Sequence, residues 1–183
     1  MTNNSLTPFT RDLLSPEVIA RFFHEWRQVQ QHIRVINAGL PAGARLGNPK
    51  LQGPVTESLA VTLLNRGHFA DQHPMLAHAE LALGRGDKPD AWVWTTDGRR
   101  LRMEIKGTGR MTWSRVSKND SKSDIFCWIN AGPIMSNAEA MVHVWLVPNF
   151  GHYFCPGQDW RSEAEFQRIV GAAYLPMRMR LPR

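Results

Sequence analysis

Residues 89–106 read Pro-Asp-Ala-Trp-Val-Trp-Thr-Thr-Asp-Gly-Arg-Arg-Leu-Arg-Met-Glu-Ile-Lys, and the architecture of the chain turns on them. The runs 91–95 and 100–105 are β-prone and alternate in polarity, and Asp97-Gly98 between them has the turn chemistry of a hairpin. Asp90 opens the first of these runs. Glu104-Ile105-Lys106 closes the second, 104 − 90 = 14 residues further on. In an antiparallel pair turning at Asp97-Gly98, those two ends lie side by side. Side chains alternate along a strand, so Glu104 and Lys106 share one face and Ile105 takes the other, core side. Two carboxylates and one ammonium converge at one end of the hairpin.

That set suits phosphodiester hydrolysis. Carboxylate oxygens are the ligands Mg²⁺ prefers, and one or two of them, with waters and substrate phosphate, complete its shell. The metal neutralises charge growing on the phosphate and lowers the pKa of a bound water. A lysine beside it can orient or deprotonate the attacking water, or steady the charged transition state. Glu57 is a further candidate, read in the first turn of a helix over 56–65 that can reach the same metal. A carboxylate there also complements the helix dipole and needs no catalytic explanation. Asp87 is the alternative to Asp90 if the strand starts earlier.

Working outward, Pro16–Ala38 reads as an amphipathic helix with Ser15 as cap and Gly39 at its end. Val18, Phe22, Trp26, Val29, Ile33 and Ile36 form its expected core face. Residues 40–53 form a Gly- and Pro-rich loop, and 75–83 is an apolar segment that reads as strand or helix. The stretch 107–124 is polar and basic. Ile125–Asn130 and 141–147 read as buried strands, 136–140 as a short turn of helix and 152–155 as a further strand. Ser162 and Glu165 have the spacing of a capping box opening a helix over 162–173.

The chain has 183 residues, 43% hydrophobic and 21% charged, which fits a single domain spanning 1–183 with a real core. It holds no apolar run long enough to span a membrane, and its first ten residues lack a signal core, so the expected compartment is cytoplasmic. Cys127 and Cys155 sit among apolar neighbours and read as reduced core residues, and without a CxxC pair a cysteine zinc site is not expected. There is no Gly-x-Ser-x-Gly elbow and no phosphate-cradling glycine loop, which sets aside serine hydrolases and P-loop enzymes. The net charge of +6 favours a polyanionic partner. Candidate DNA contacts are Arg45 and Lys50 in the first loop, with Arg110, Trp113, Arg115, Lys118 and Lys122 in the basic stretch.

Pro89-Asp90, the spacer and Glu104-Ile105-Lys106 resemble the PD-(D/E)xK motif of the restriction-endonuclease-like nucleases. The likeness covers roughly residues 56–147: a helix bearing a glutamate, a meander of strands bearing the motif, then a later strand. It implies an α/β fold, a central mixed sheet flanked by helices in α-β-β-β-α-β order, whose last core strand is either Ile125–Asn130 or 141–147. It also implies that Asp90 and Glu104 hold Mg²⁺, that Lys106 is the catalytic lysine and that Glu57 is the added helix glutamate. The family's commonest small soluble members are type II restriction endonucleases, so the resemblance implies double-stranded DNA and a second copy of the chain as partners, with no membrane. A repair or junction-resolving nuclease of the same fold, or a non-catalytic nucleic-acid-binding module, are the alternatives.

Overall fold

The computed structural model describes residues 13–47, 51–82, 88–109, 115–136 and 141–180. Helix α1 (Pro16–Ala38) starts where the Ser15 hydroxyl accepts a hydrogen bond from Val18 N, with Pro16 in its first turn. Helix α2 (Gly53–Asn65) follows and carries no acidic residue in its first turn, because it begins three residues ahead of Thr56. Glu57 therefore sits one turn inside the helix.

Six strands then form one mixed sheet in the order β1-β2-β3-β4-β5-β6. They are β1 (Leu76–Leu81), β2 (Ala91–Thr95), β3 (Arg100–Thr108), β4 (Ile125–Asn130), β5 (Met141–Pro148) and β6 (Met177–Arg180). The β2–β3 hairpin forms as expected, and Gly98 takes the left-handed backbone (φ 82°) that closes the turn. All neighbours are antiparallel except β3 and β4, which run parallel. A parallel pair requires a crossover, and the helix α3 (Lys118–Lys122) lies within it. Two short helices, α4 (Gly132–Ser136) and α5 (Glu163–Val170), complete the set.

Both faces of the sheet's centre are covered, which explains why every residue of β4 is buried. On one face Ile105, Ile125, Cys127 and Ile129 pack with Ile19, Phe23 and Trp26 of α1 and Val55, Leu59 and Leu63 of α2. On the other, Phe126, Trp128, Trp145 and Val147 meet Phe150, Phe154, Trp160 and Phe166. Trp160 and Phe166 lie 4.6 Å apart there, and Trp128 and Phe166 5.0 Å apart, within the range of favourable aromatic pairs. This second cluster stands over β4 and β5.

Several sequence expectations need correction. In α1 the buried residues are Ile19, Phe23, Trp26 and Gln30, whereas Val18, Val29 and Ile36 are exposed. The helix carries two apolar stripes and docks on the one rotated by a residue. Residues 152–155 form no strand: Phe150–His152 is a turn of 3-10 helix that drives Phe150 onto Phe126, ring centroids 4.0 Å apart. The last helix stops at Val170, where Gly171 turns the chain (φ 87°), and β6 follows it unforeseen. Helix α4 ends at Ser136, and residues 137–140 of the short helix expected at 136–140 lie outside the described residues. Cys155 is exposed, and Cys127 is the buried one.

Candidate active site

The hairpin register pairs Ala91 with Met103, which sets Asp90 directly across from Glu104. Asp90 N donates to Met103 O at 3.1 Å, and Ala82 N donates to Asp90 O at 3.0 Å, so its backbone is held from both sides. One carboxylate oxygen, Oδ2, accepts from Ile105 N at 2.7 Å. Glu104 is buried, and Lys106, two residues on, gives its ammonium to Glu104 Oε1. The three side chains that the sequence assigns to one cluster are together.

Burial pushes the Glu104 carboxyl above its ordinary value, and the neighbouring Asp90 charge pushes it further, against the pull of Lys106. Lys106 moves up as well. Burial alone would lower it, but Glu104, Asp90 and Asp120 outweigh that cost and hold the amine protonated. In this state the side chain is an ammonium, suited to orienting water or meeting phosphate charge rather than to taking a proton.

Asp120, which sequence reasoning misses, belongs to the same cluster. It lies on α3 with 0% exposure, and its Oδ1 stands 3.6 Å from Lys106 Nζ. The Ser117-x-x-Asp120 spacing is a helix-start signal that can locate it. Nothing in the local sequence shows which way the carboxylate points.

Glu57 is half-buried on α2, its carboxylate lying back toward Gly53. Its neighbour Thr56 presses on Gly107, where an added Cβ would come 2.5 Å from Thr56 Cγ2. That contact is on the Ile105 side of the sheet, opposite the face that bears Glu104 and Lys106. Of the expected DNA contacts, Arg45, Arg115, Lys118 and Lys122 are exposed. Lys50, Arg110, Trp113 and the alternative ligand Asp87 lie outside the described residues.

Comparison with known proteins adds no relative. No family model, curated protein or solved structure matches the chain.

The residues present fit a divalent cation in a specific way. Among the described residues no three His, Cys, Asp or Glu side chains form a ready-made metal cage. Asp90 and Glu104 are two carboxylates at cross-strand positions, and the upward shift of Glu104, set first by burial and then by the Asp90 charge, is one that a bound cation would offset. Two carboxylates, with waters and phosphate for the other positions, is how Mg²⁺ is commonly held. The same sheet face extends back from Glu104 through Arg102 and Arg100. The Arg100 guanidinium lies 3.6 Å from the centre of the Trp92 ring, a stacked cation that the sequence shows only as charge.

Beyond Lys106 the face is closed by a polar network. Thr108 Oγ1 accepts from Trp128 Nε1 at 2.9 Å. Glu163, at the start of α5, accepts from Asn130 Nδ2 at 3.0 Å, His143 Nδ1 at 2.8 Å and Trp145 Nε1 at 3.2 Å. Burial would raise the Glu163 carboxyl, but His143, Asn130 and Trp145 outweigh it and hold it below its ordinary 4.5. A depressed carboxylate contributes stability above the unfolded value and loses it as pH falls through the folded one. Glu163→Gln is therefore expected to cost roughly 1–3 kcal/mol in urea unfolding at pH 7. The gap from the parent protein should close as the pH is taken below 4.5; an equal gap at both pH values would show that the charge is not what matters.

Proposed function

We propose that this chain is a Mg²⁺-dependent DNA endonuclease of the PD-(D/E)xK kind, acting as a type II restriction enzyme on double-stranded DNA. The observation that carries the reading is the register: Asp90 lies across from Glu104, and Lys106, on the same face, is bonded to Glu104. The element order supports it. Helix α2, the meander β1-β2-β3, helix α3 and the parallel strand β4 follow one another in α-β-β-β-α-β sequence. In this reading β4, next to β3, is the last core strand and β5 extends the sheet.

Asp90 and Glu104 would hold the metal, which when bound supplies a more acidic water and neutralises phosphate charge. Lys106, kept as an ammonium, orients the attacking water and meets the charge developing on the phosphate. The upward shift of Glu104 sets a requirement: the carboxyl must be ionised before it can ligate. Arg100 and Arg102, on the face that leads to Glu104, and Lys118 and Lys122 on α3 would meet the backbone phosphates. A palindromic site is matched by two-fold symmetry, and one active site cuts one strand, so the working form would be a homodimer.

Incubation with unmethylated plasmid DNA and Mg²⁺, then sequencing of fragment ends, tests this directly. Discrete ends at one short sequence support the assignment, and intact plasmid with every sequence supplied defeats it. Lys118→Ala and Lys122→Ala should each weaken binding on all sequences and lower the salt slope by about 0.9 for each phosphate no longer neutralised. An unaltered slope would place those lysines off the DNA.

Trp92 and Trp94 favour a second reading. Both are half-buried on the site's own face, where an indole that releases the Arg100 guanidinium beside it can stack on an unpaired base. That suits a nuclease for branched or damaged DNA. Tighter binding to a junction than to any duplex, in direct competition, would select it.

A further inference from the structure

The buried carboxylate of Asp120 has more polar capacity than its local role uses. Its Oδ2 accepts from Ser117 N at 2.6 Å, while the Ser117 hydroxyl accepts from Asp120 N at 3.2 Å. This reciprocal cap fixes the start of α3 and needs only one oxygen. The other, Oδ1, is fully buried and has no hydrogen bond. The cation beside it, Lys106 Nζ, stands at 3.6 Å, beyond hydrogen-bonding distance, because it is drawn to Glu104. Leaving a buried carboxylate oxygen without a hydrogen bond costs free energy, and a cap can be built without that cost.

We propose that Asp120 is a positioning residue: its Oδ1 receives the Lys106 ammonium when a divalent cation takes Glu104. The inference rests on the reading of Asp90 and Glu104 as the metal-holding pair. Lys106 gives its ammonium to Oε1 of Glu104, one of the two oxygens with which that carboxylate could ligate a cation. A cation there repels the ammonium, which must leave Glu104 without leaving the site. Closing the 3.6 Å gap to Asp120 Oδ1 takes a movement of about 0.7 Å to reach ordinary N–H···O distance. The lysine then stays beside the phosphate position with its charge compensated. A lysine without such an acceptor would either hold on to Glu104 and exclude the metal or swing into solvent.

Asp120→Asn separates this role from capping, since an amide oxygen can still accept from Ser117 N while its NH₂ cannot accept from Lys106. Mn²⁺ binding, followed by calorimetry without DNA, should weaken about tenfold in Asp120→Asn. Single-turnover cleavage at saturating Mn²⁺ should fall as well. A purely structural role would lower the unfolding temperature and leave Mn²⁺ affinity unchanged. The coupling decides between them. In a Lys106→Met background there is no ammonium to relocate, so adding Asp120→Asn should leave Mn²⁺ affinity where Lys106→Met sets it. Equal weakening in both backgrounds, or no weakening in either, overturns the proposal. If the parent protein binds Mn²⁺ no better than Glu104→Gln, the metal-pair reading itself fails, and the proposal with it. Should Asp120→Asn not fold, a crystal structure of the parent protein with Mn²⁺ decides: Lys106 Nζ hydrogen-bonded to Asp120 Oδ1 supports the transfer, and Nζ still on Glu104 overturns it.

Discussion

Glu104→Gln is expected to reduce DNA cleavage by roughly a thousandfold or more, the scale of losing a group that acts on transition-state charge. The same variant should remain folded. Gln keeps the volume and an oxygen for Lys106, and it removes a buried charge that faces Asp90. The direction of the Glu104 shift makes this a sharper expectation than for an exposed glutamate. Its carboxyl is pushed up, first by burial and then by Asp90, so the fold favours the protonated form. That preference supports the fold below the ordinary glutamate range and is lost as pH rises through the raised value. At neutral pH the ionised carboxylate is a standing cost, offset in part by Lys106 and relievable by a cation. Metal-free Glu104→Gln should then unfold at or above the temperature of the parent protein, while Mg²⁺ should stabilise the parent and not the variant. Undiminished cleavage by the purified variant, or equal stabilisation of both by Mg²⁺, would remove Glu104 from the site.

What is legible in the sequence and what is not divides along physical lines. The hairpin is readable because Asp97-Gly98 and the alternation on either side are local signals that no distant contact needs to enforce. Strand β4 is readable for a similar reason, since an unbroken apolar run fits a strand covered on both faces. The docking face of α1 is not. Residues 18, 22, 26, 29, 33 and 36 make as good a stripe as 19, 23, 26 and 30; Trp26 is common to both, and only the tertiary partner chooses between them, burying Gln30 as it does so. Strand β6 escapes notice because Met-Arg-Met-Arg reads first as charge, although its period of two is that of a strand pairing with β5. The site is legible in its strand-borne half. Asp90, Glu104 and Lys106 follow from register alone, whereas Asp120 enters from a crossover helix that packs against the distant Phe150–His152 turn. The basic stretch illustrates the same limit. Its composition reads as a surface facing DNA, yet between the exposed Lys118 and Lys122 it buries an acid.

Lys106→Ala is expected to damage the fold as well as the chemistry. The substitution removes the cation on which Glu104, Asp90 and Asp120 all act, and two of the three acids are buried. Breaking a buried pair by removing one partner costs several kcal/mol, because the remaining charge is left without compensation. The Lys106 side chain is 30% exposed, so the lower end of that range, about 3 kcal/mol, is the better expectation. In a chain of this size that corresponds to a fall of roughly 6–12 °C in unfolding temperature. The sign of the pH dependence identifies the cause. Without the ammonium the Glu104 carboxyl shifts further upward, so the folded state binds its proton more tightly than the unfolded one and stability rises as pH falls from neutrality towards the raised value. A divalent cation should restore part of the loss at neutral pH, in proportion to its occupancy. A cavity left by a truncated side chain would show neither response. Calorimetric scans of Lys106→Ala at several pH values, with and without Mg²⁺, therefore distinguish an uncompensated acidic cluster from a packing defect. A variant whose deficit is the same at every pH and with either buffer would mean that the lysine does not hold these acids together.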